Sequence, residues 1–308
     1  MGELRCDGVL YEVGVDIGGT KVFVVIADDD GNIVFKEKIK TSPDVQKIIA
    51  SIDSFLQDMK IPFPKLKGIG IGVPGVVNSE SGMVLDSPSL KWHDLNLKEV
   101  FSNHYHAPVI VKNDVNLAVL GERYFGGNES DNIFYVAIGT GVGSAIIANG
   151  RIVEGAGFSA GEIGYFVGRN DVRQGRINSA LEFGTFEHKT SGSALTEKGL
   201  KFGYSPQELF IQYRKHNPEV ETIIDEFVLE LSIMIANVVS LLNPEIVIIG
   251  GGVAESMECV IDKIRVHVSN FTPIHTKIEL SKLGGEAQGL GGIACFLPNK
   301  NMKLEAKK

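Results

Sequence analysis

Two stretches of the 308-residue chain, DIGGTKVFVVIADDDGNIV (16–34) and AIGTGVGSAIIANGRIV (137–153), share one pattern: apolar run, Gly/Thr corner, apolar run, turn, apolar run. Runs rich in Val, Ile and Phe, bounded by Gly-Gly, Asp-Gly-Asn and Asn-Gly, are strand and hairpin signals, so each stretch is expected to form a three-stranded meander. Recurrence of a whole supersecondary pattern points to a duplicated α/β domain. Convergence of short hairpin signals is the alternative reading of so brief a likeness.

The elements around the first meander extend the pattern. Val45, Ile48, Ile49, Ile52, Phe55 and Leu56 recur at helical spacing, and KGIGIGVPG then reads as a buried strand closing at Pro74-Gly75. After the second meander, Ile223 to Leu242 reads as a largely buried helix ended by Asn243-Pro244, with the strand EIVIIGGG behind it. The chain is long enough for two domains of about 150 residues each. No low-complexity linker divides it, which suggests two domains with a cleft between them. The expected division is an N-terminal α/β domain over 1–117, completed by a C-terminal helix at 289–299, and a second α/β domain over 118–288.

Composition narrows the partners. With 44% hydrophobic and 22% charged residues and a net charge of −8, the chain is ordinary globular material lacking the basic excess that nucleic acid or an anionic membrane demands. Cys6, Cys259 and Cys295 are scattered, which suits a reducing compartment. No apolar run approaches the roughly 18 residues of a membrane span, and the N-terminus lacks a signal core, so a cytoplasmic location is expected.

Three glycine corners carry the chemistry. At Asp16-Ile-Gly-Gly-Thr-Lys21, backbone N–H groups of Gly18 and Gly19, with Thr20 and Lys21, suit a phosphate, and Asp16 suits a hydrated Mg²⁺. The same motif alone also fits a tight hairpin using glycine for positive φ. Gly139-Thr140-Gly141 offers a second phosphate corner, and Gly250, Gly251 and Gly252 a third, where missing side chains admit adenine or ribose. Together they favour a nucleotide. In VIVKNDVNLAVLGE, Asn113 and Asp114 fit a helix N-cap, and Asp114 equally fits a general base accepting a proton from a substrate hydroxyl. Glu162 and Glu182 read either as surface acids or as acceptors for the hydroxyls of a polyol.

In order, Asp16–Lys21, Gly70-Ile-Gly-Val-Pro-Gly75, Asn113-Asp114-Val-Asn116, Gly139–Gly143, GAGFSAGEIG and Gly250–Gly252 resemble the ROK family of bacterial repressors and sugar kinases over nearly the whole chain. The resemblance implies an actin-like, hexokinase-like (ribonuclease H-like) duplicated fold with a central cleft, and ATP-dependent phosphorylation of a hexose. It implies Asp114 as the base at the sugar 6-hydroxyl. Asp16, Thr20 and Lys21 would face Mg²⁺ and phosphate, Thr140 and Gly141 would hold phosphate oxygens, and Gly250–Gly252 would lie near adenosine. Gly75, Asn113, Glu162 and Glu182 match sugar-contacting positions. A homodimer or homotetramer is implied as well.

One departure stands out. Family members carry Glu-x-Gly-His and a cysteine cluster for structural zinc, whereas here Glu162-Ile-Gly-Tyr165 places Tyr at the His position and the following RNDVRQGRINSALEFG contains no cysteine. A Cys/His zinc site is therefore not expected, and the loop beneath the sugar is expected to be fixed by packing alone. Tyr165 either offers its hydroxyl to the sugar or fills space.

SPSLKWHDLNL resembles the glucokinase pattern, which places glucose ahead of N-acetylmannosamine as substrate. The repressor class is disfavoured, because the residues before Asp16 are too few for a helix-turn-helix and the acidic balance gives DNA no surface. A sugar-binding protein without catalysis is the remaining class.

Overall fold

The computed structural model describes residues 8–179 and 183–297, which divide into two compact units. The first contains residues up to 129, 155–159 and those from 286 onward; the second contains 130–154 and 160–285.

In the first unit, β1 (Tyr11–Ile17), β2 (Lys21–Asp28) and β3 (Ile33–Lys40) form an antiparallel meander. Helix α1 (Val45–Asp58) follows, started by the Asp44 carboxylate accepting from the Gln46 N–H at 3.0 Å and burying Ile48, Ile49, Ile52 and Leu56. Strand β4 (Leu66–Val73) returns parallel to β1. A small sheet of β5 (Val76–Asn78), β6 (Met83–Ser87) and β7 (Trp92–Asn96) precedes α2 (Leu97–Tyr105), β8 (Val109–Asn113), parallel to β4, and α3 (Asp114–Tyr124).

The second unit repeats this plan. Strands β9 (Ile133–Ile138), β10 (Val142–Ala148) and the two-residue β11 (Arg151–Ile152) form the second meander. The helices α4 (Arg169–Arg173), α5 (Glu187–Thr190), α6 (Gly192–Leu200) and α7 (Pro206–Arg214) are inserted before the long α8 (Pro218–Leu242). Then come β12 (Ile246–Gly250), α9 (Ile261–Phe271) and β13 (Lys277–Leu280). The sheet orders are β3-β2-β1-β4-β8 and β11-β10-β9-β12-β13. In both, the first three strands run antiparallel in sequence order and the last two lie parallel to the first. The likeness of the two meanders is a duplication, not convergence. Each unit has its own core, one built around Val13, Ile52, Ile71 and Phe101, the other around Phe134, Phe227, Leu231 and Ile249.

Two expectations are corrected. Helix α8 begins at Pro218 rather than at 223, because Asn217 caps its start and Pro218 is pre-set for the first helical position, ahead of the apolar pattern. The expected boundary at 117 falls inside α3, which packs wholly within the first unit; the division lies after Glu129.

Helix α10 (Ala287–Ala294) belongs to the first unit and lies on α3, β1 and β4. The approach is backbone to backbone. A Cβ on Gly70 would sit 2.1 Å from the Gly292 carbonyl oxygen, and one on Gly14 would sit 2.0 Å from that of Gly289. Among the described residues, no helix is long and apolar enough to cross a membrane.

Gly70→Ala must push α10 off the sheet, since neither partner is a side chain that can turn aside. It is expected to lower stability by about 3 kcal/mol, read as a lower urea midpoint. Gly8→Ala, whose Cβ meets nothing within 4 Å, is the control expected to leave the midpoint unchanged.

Candidate functional site

Each unit presents its chemistry at the carboxyl ends of its central parallel strands, where an open α/β sheet leaves backbone groups unpaired. In the first unit these are β1, β4 and β8. Strand β1 delivers Asp16, the chain turns at Gly18–Thr20, and β2 begins at Lys21. The Gly18 N–H donates to the Lys21 carbonyl at 3.0 Å, and the Thr41 hydroxyl donates to the Gly18 carbonyl at 2.6 Å, so the turn is held from both sides. Among the described residues no acceptor takes the N–H of Gly19 or Thr20, and Gly19, Thr20 and Lys21 are exposed. Neither Gly18 nor Gly19 has positive φ, so hairpin strain is not what calls for glycine here. Bare, outward backbone donors beside a lysine fit an anion.

Asn113, the last residue of β8, uses its whole amide. Its Oδ1 accepts from the N–H groups of Val115 at 2.9 Å and Asn116 at 3.3 Å, capping α3, while its Nδ2 donates to the Gly75 carbonyl at 3.0 Å. Gly75 has φ +108°, and a Cβ there would lie 2.2 Å from the Asp86 carbonyl oxygen, so glycine is required for the turn itself. Asn113 thus has the structural duty that the helix-cap reading anticipated, and Gly75 has one that it did not. Asp114, the first residue of α3, accepts from the Val115 N–H at 2.9 Å. Burial pushes its carboxyl up to about 6, with the Val115 and Asp114 N–H groups pulling the other way. Asp16 is driven further, to about 8, first by burial and then by the negative charge of Asp114, with Lys38 only partly offsetting them. Asp16 and Asp114 are therefore brought close enough to repel.

In the second unit the corner at Gly139–Gly141 joins β9 to β10. The N–H groups of Gly192 and Ser193, at the start of α6, donate to the carbonyls of Gly139 at 2.8 Å and Thr140 at 3.2 Å. Among the described residues no acceptor takes the N–H of Thr140 or Gly141. The glycines after β12 converge on the same place, the Val253 N–H donating to the Ile138 carbonyl at 3.0 Å. They differ in kind. A Cβ on Gly250 would strike Tyr135, and Gly251, at φ +86°, is pressed against Ile138, so both are demanded by packing and turn geometry. Of the three, only Gly252 faces open space, where a ligand can approach.

Glu162 is exposed and sits at the head of a short 3-10 turn, Ile163–Tyr165. The turn is tied to β10 because the Ser144 N–H and hydroxyl both donate to the Gly161 carbonyl, at 3.1 and 2.7 Å. Tyr165 is 38% exposed, and its carbonyl accepts from the Asn178 amide at 2.6 Å. Glu182 lies outside the described residues.

One acid escaped the reading of the sequence. Glu187 on α5 accepts from the Val142 N–H at 2.8 Å and from the Gly184 N–H at 2.9 Å. A Cβ on Gly141 would lie 2.4 Å from its Oε1, and one on Gly164 2.8 Å from its carboxyl carbon, so this single carboxylate joins the phosphate-type corner to the turn after Glu162. The available signal was its place one helical turn before Ser191-Gly192, the start of α6, but nothing in EHKTSG says what the acid faces.

The ROK family pattern matches residues 12–297. The chain belongs to the ROK family. It is 30% identical to a glucokinase of Halalkalibacterium halodurans, over 92% of this chain and 93% of that protein. It is equally 30% identical to a xylose repressor of Caldicellulosiruptor bescii, over 92% of this chain and 77% of the repressor. Among solved structures it is similar to Lmo2764 of Listeria monocytogenes, a proposed N-acetylmannosamine kinase, with 27% identity, TM-score 0.80, and 95% and 100% of the two chains covered. It is also similar to a ROK family glucokinase of Streptomyces griseus in complex with glucose and AMPPNP, with 26% identity, TM-score 0.73, and 92% and 98% covered. The duplicated α/β architecture of this ROK chain is accordingly the actin-like, hexokinase-like two-domain fold.

A carboxyl raised by burial and a neighbouring charge weakens the folded state once it is ionised. The sign follows from the proton: the folded form of Asp16 binds it more tightly than the unfolded chain, so this contribution is lost as pH rises from its ordinary value of 3.8 through about 8. Asp16→Asn is therefore expected to raise the melting temperature of the ligand-free protein at pH above 8 by roughly 3 °C or more, with little change at pH about 4.

Proposed function

We propose that the chain is an ATP-dependent sugar kinase that phosphorylates the 6-hydroxyl of a hexose, glucose first, with Asp114 as general base. The observation that carries this reading is the Asp114 carboxyl: half-buried, at the start of α3 just beyond β8, and poised at about 6, near enough to neutrality to accept a proton without holding it. Supporting it are the free N–H groups at Gly19–Thr20 and Thr140–Gly141, which suit phosphate oxygens, and the open face of Gly252, which suits adenosine. Gly18 and Gly139 shape these corners, Lys21 offers a cation, and Asn113, Glu162, Tyr165, Glu182 and Glu187 are the proposed sugar-side groups. The relatives named glucokinase, and the neighbour holding glucose and AMPPNP, favour the same substrates.

The donor set also fits Mg²⁺. Among the described residues no three His, Cys, Asp or Glu side chains gather as a cage, but Asp16 and Asp114 are two half-buried acids, each raised first by burial, and Asp16 further by the charge of Asp114. One or two carboxylates plus waters and substrate phosphate are how Mg²⁺ is ordinarily held. Asp16 would hold the ion through water, and the ion would supply charge neutralisation for phosphoryl transfer. The protein's own part is to bring the hydroxyl to Asp114, which takes its proton as the new O–P bond forms and ADP leaves, while backbone donors and Lys21 hold the phosphate oxygens.

N-acetylmannosamine is the second substrate reading, favoured by the likeness to Lmo2764. A sugar sensor without turnover is the third, favoured by the xylose repressor at equal identity. An ADP-release assay with Mg-ATP against glucose, N-acetylmannosamine, mannose, fructose and allose separates them: turnover of glucose supports the first reading, and binding of sugar without ADP release rejects it.

Asp114→Ala is expected to lower kcat by about 10² to 10⁴, and a variant keeping a tenth of the activity would sink the general-base role. Because the basic form is the active one, kcat/KM is expected to be level above pH about 7 and to fall about tenfold per unit below the Asp114 value of about 6.

A further inference from the structure

We propose that the buried ion pair of Asp171 and Lys189 is the positioning device of the sugar-facing loop, setting Glu187 against the corner at Gly139–Gly141; as a statement about sugar binding, this rests on the kinase reading. The expectation that packing alone fixes this cysteine-free segment is corrected by the pair. Asp171 is 1% exposed, and its carboxylate accepts from the Lys189 ammonium at 2.6 Å, the Gly168 N–H at 2.8 Å and the Arg176 guanidinium at 3.5 Å. Lys189 is itself mostly buried and also approaches Glu230 of α8 at 3.7 Å.

Lys189 and Glu187 share α5, a single turn of four residues. So short a helix has no stability of its own, and tertiary contacts must set its orientation. The ion pair ties α5 to α4, and neutral hydrogen bonds tie the same segment to the turn after Glu162. The Thr185 hydroxyl donates to the Phe166 carbonyl at 2.7 Å, the Thr185 N–H to the Asn178 side-chain oxygen at 2.8 Å, and the Phe186 N–H to the Gly164 carbonyl at 3.0 Å. Of these contacts the ion pair is the one that fails hardest when broken, because either partner then keeps only a long contact to an opposite charge, Arg176 at 3.5 Å for Asp171 or Glu230 at 3.7 Å for Lys189. Burial by itself raises the Asp171 carboxyl, but Lys189, the Gly168 N–H and Arg176 outweigh it and hold it below the ordinary range, so the pair is charged at neutral pH.

The test uses the full chain and two readouts. In amide hydrogen exchange without ligands, Asp171→Asn and Lys189→Met are expected to speed exchange at Val142 and Gly184, the amides held by Glu187, by about tenfold or more, with β9 and β12 exchanging at wild-type rates. Lys189→Arg keeps the charge and is expected to retain wild-type exchange. In the coupled assay with glucose and Mg-ATP, the first two variants are expected to raise KM for glucose by about tenfold or more. Wild-type exchange at Val142 and Gly184 in either folded variant overturns the proposal. Global unfolding of both overturns it too, since the pair would then hold the whole unit and not the loop. If the wild-type chain does not phosphorylate glucose, the kinase reading with glucose fails, while the exchange rates still decide the positioning role.

Discussion

Backbone contact between α10 and the first sheet is the constraint on which the N-terminal half of the structure depends. The chain leaves the first unit after residue 129 and returns to it for good only at 286, so the helix that covers β1, β4 and α3 is supplied after the second unit has been traversed. Glycines make this closure possible. Gly14 and Gly70 on the strands meet Gly289 and Gly292 on the helix, and Gly121 of α3 meets Ala287, so the layers approach more closely than any side chain would permit. Close packing here fixes the spacing of β1, β4 and β8, and with it the places where Asp16, Gly75, Asn113 and Asp114 emerge.

Electrostatics builds on that spacing. Two carboxylates end up within reach of each other's charge, half-removed from water, and both rise above their ordinary values. Strongly raised carboxyls cost stability and cluster at functional sites, which is why this pair marks the candidate site. Asn113 keeps it in register by capping α3 with one atom and holding Gly75 with another. In the second unit a charge is used in the opposite sense. Asp171 is buried but fully compensated, so its carboxylate organises its surroundings instead of reacting.

The fold was largely legible because its signals are local and periodic. Two meanders with glycine tips, the helix spacing at Ile48, Ile49, Ile52 and Leu56, and the strand before Gly250 all survive as read. What the periodicity missed is polar: the first turn of α8, where Asn217 and Pro218 start the helix ahead of its apolar stripe, and the true extent of α3 within the first unit. In the site, the glycine corners and the Asn113-Asp114 pair were visible as motifs. The separate duties of Gly250, Gly251 and Gly252 were not, since one triplet of identical letters hides a packing contact, a left-handed turn and an open face.

The sequence by itself determined that the chain is a duplicated α/β protein whose strand ends carry glycine corners and one acid at a helix start. These follow from residue spacing and from the few residues that tolerate such turns. Only the tertiary structure decided which acids matter to one another. Asp16 and Asp114 lie far apart in the chain, Glu187 reaches back to Val142, and Asp171 finds Lys189, because pairing at such separations depends on how helices and strands are stacked, and the pattern of a single segment holds no record of its distant neighbours.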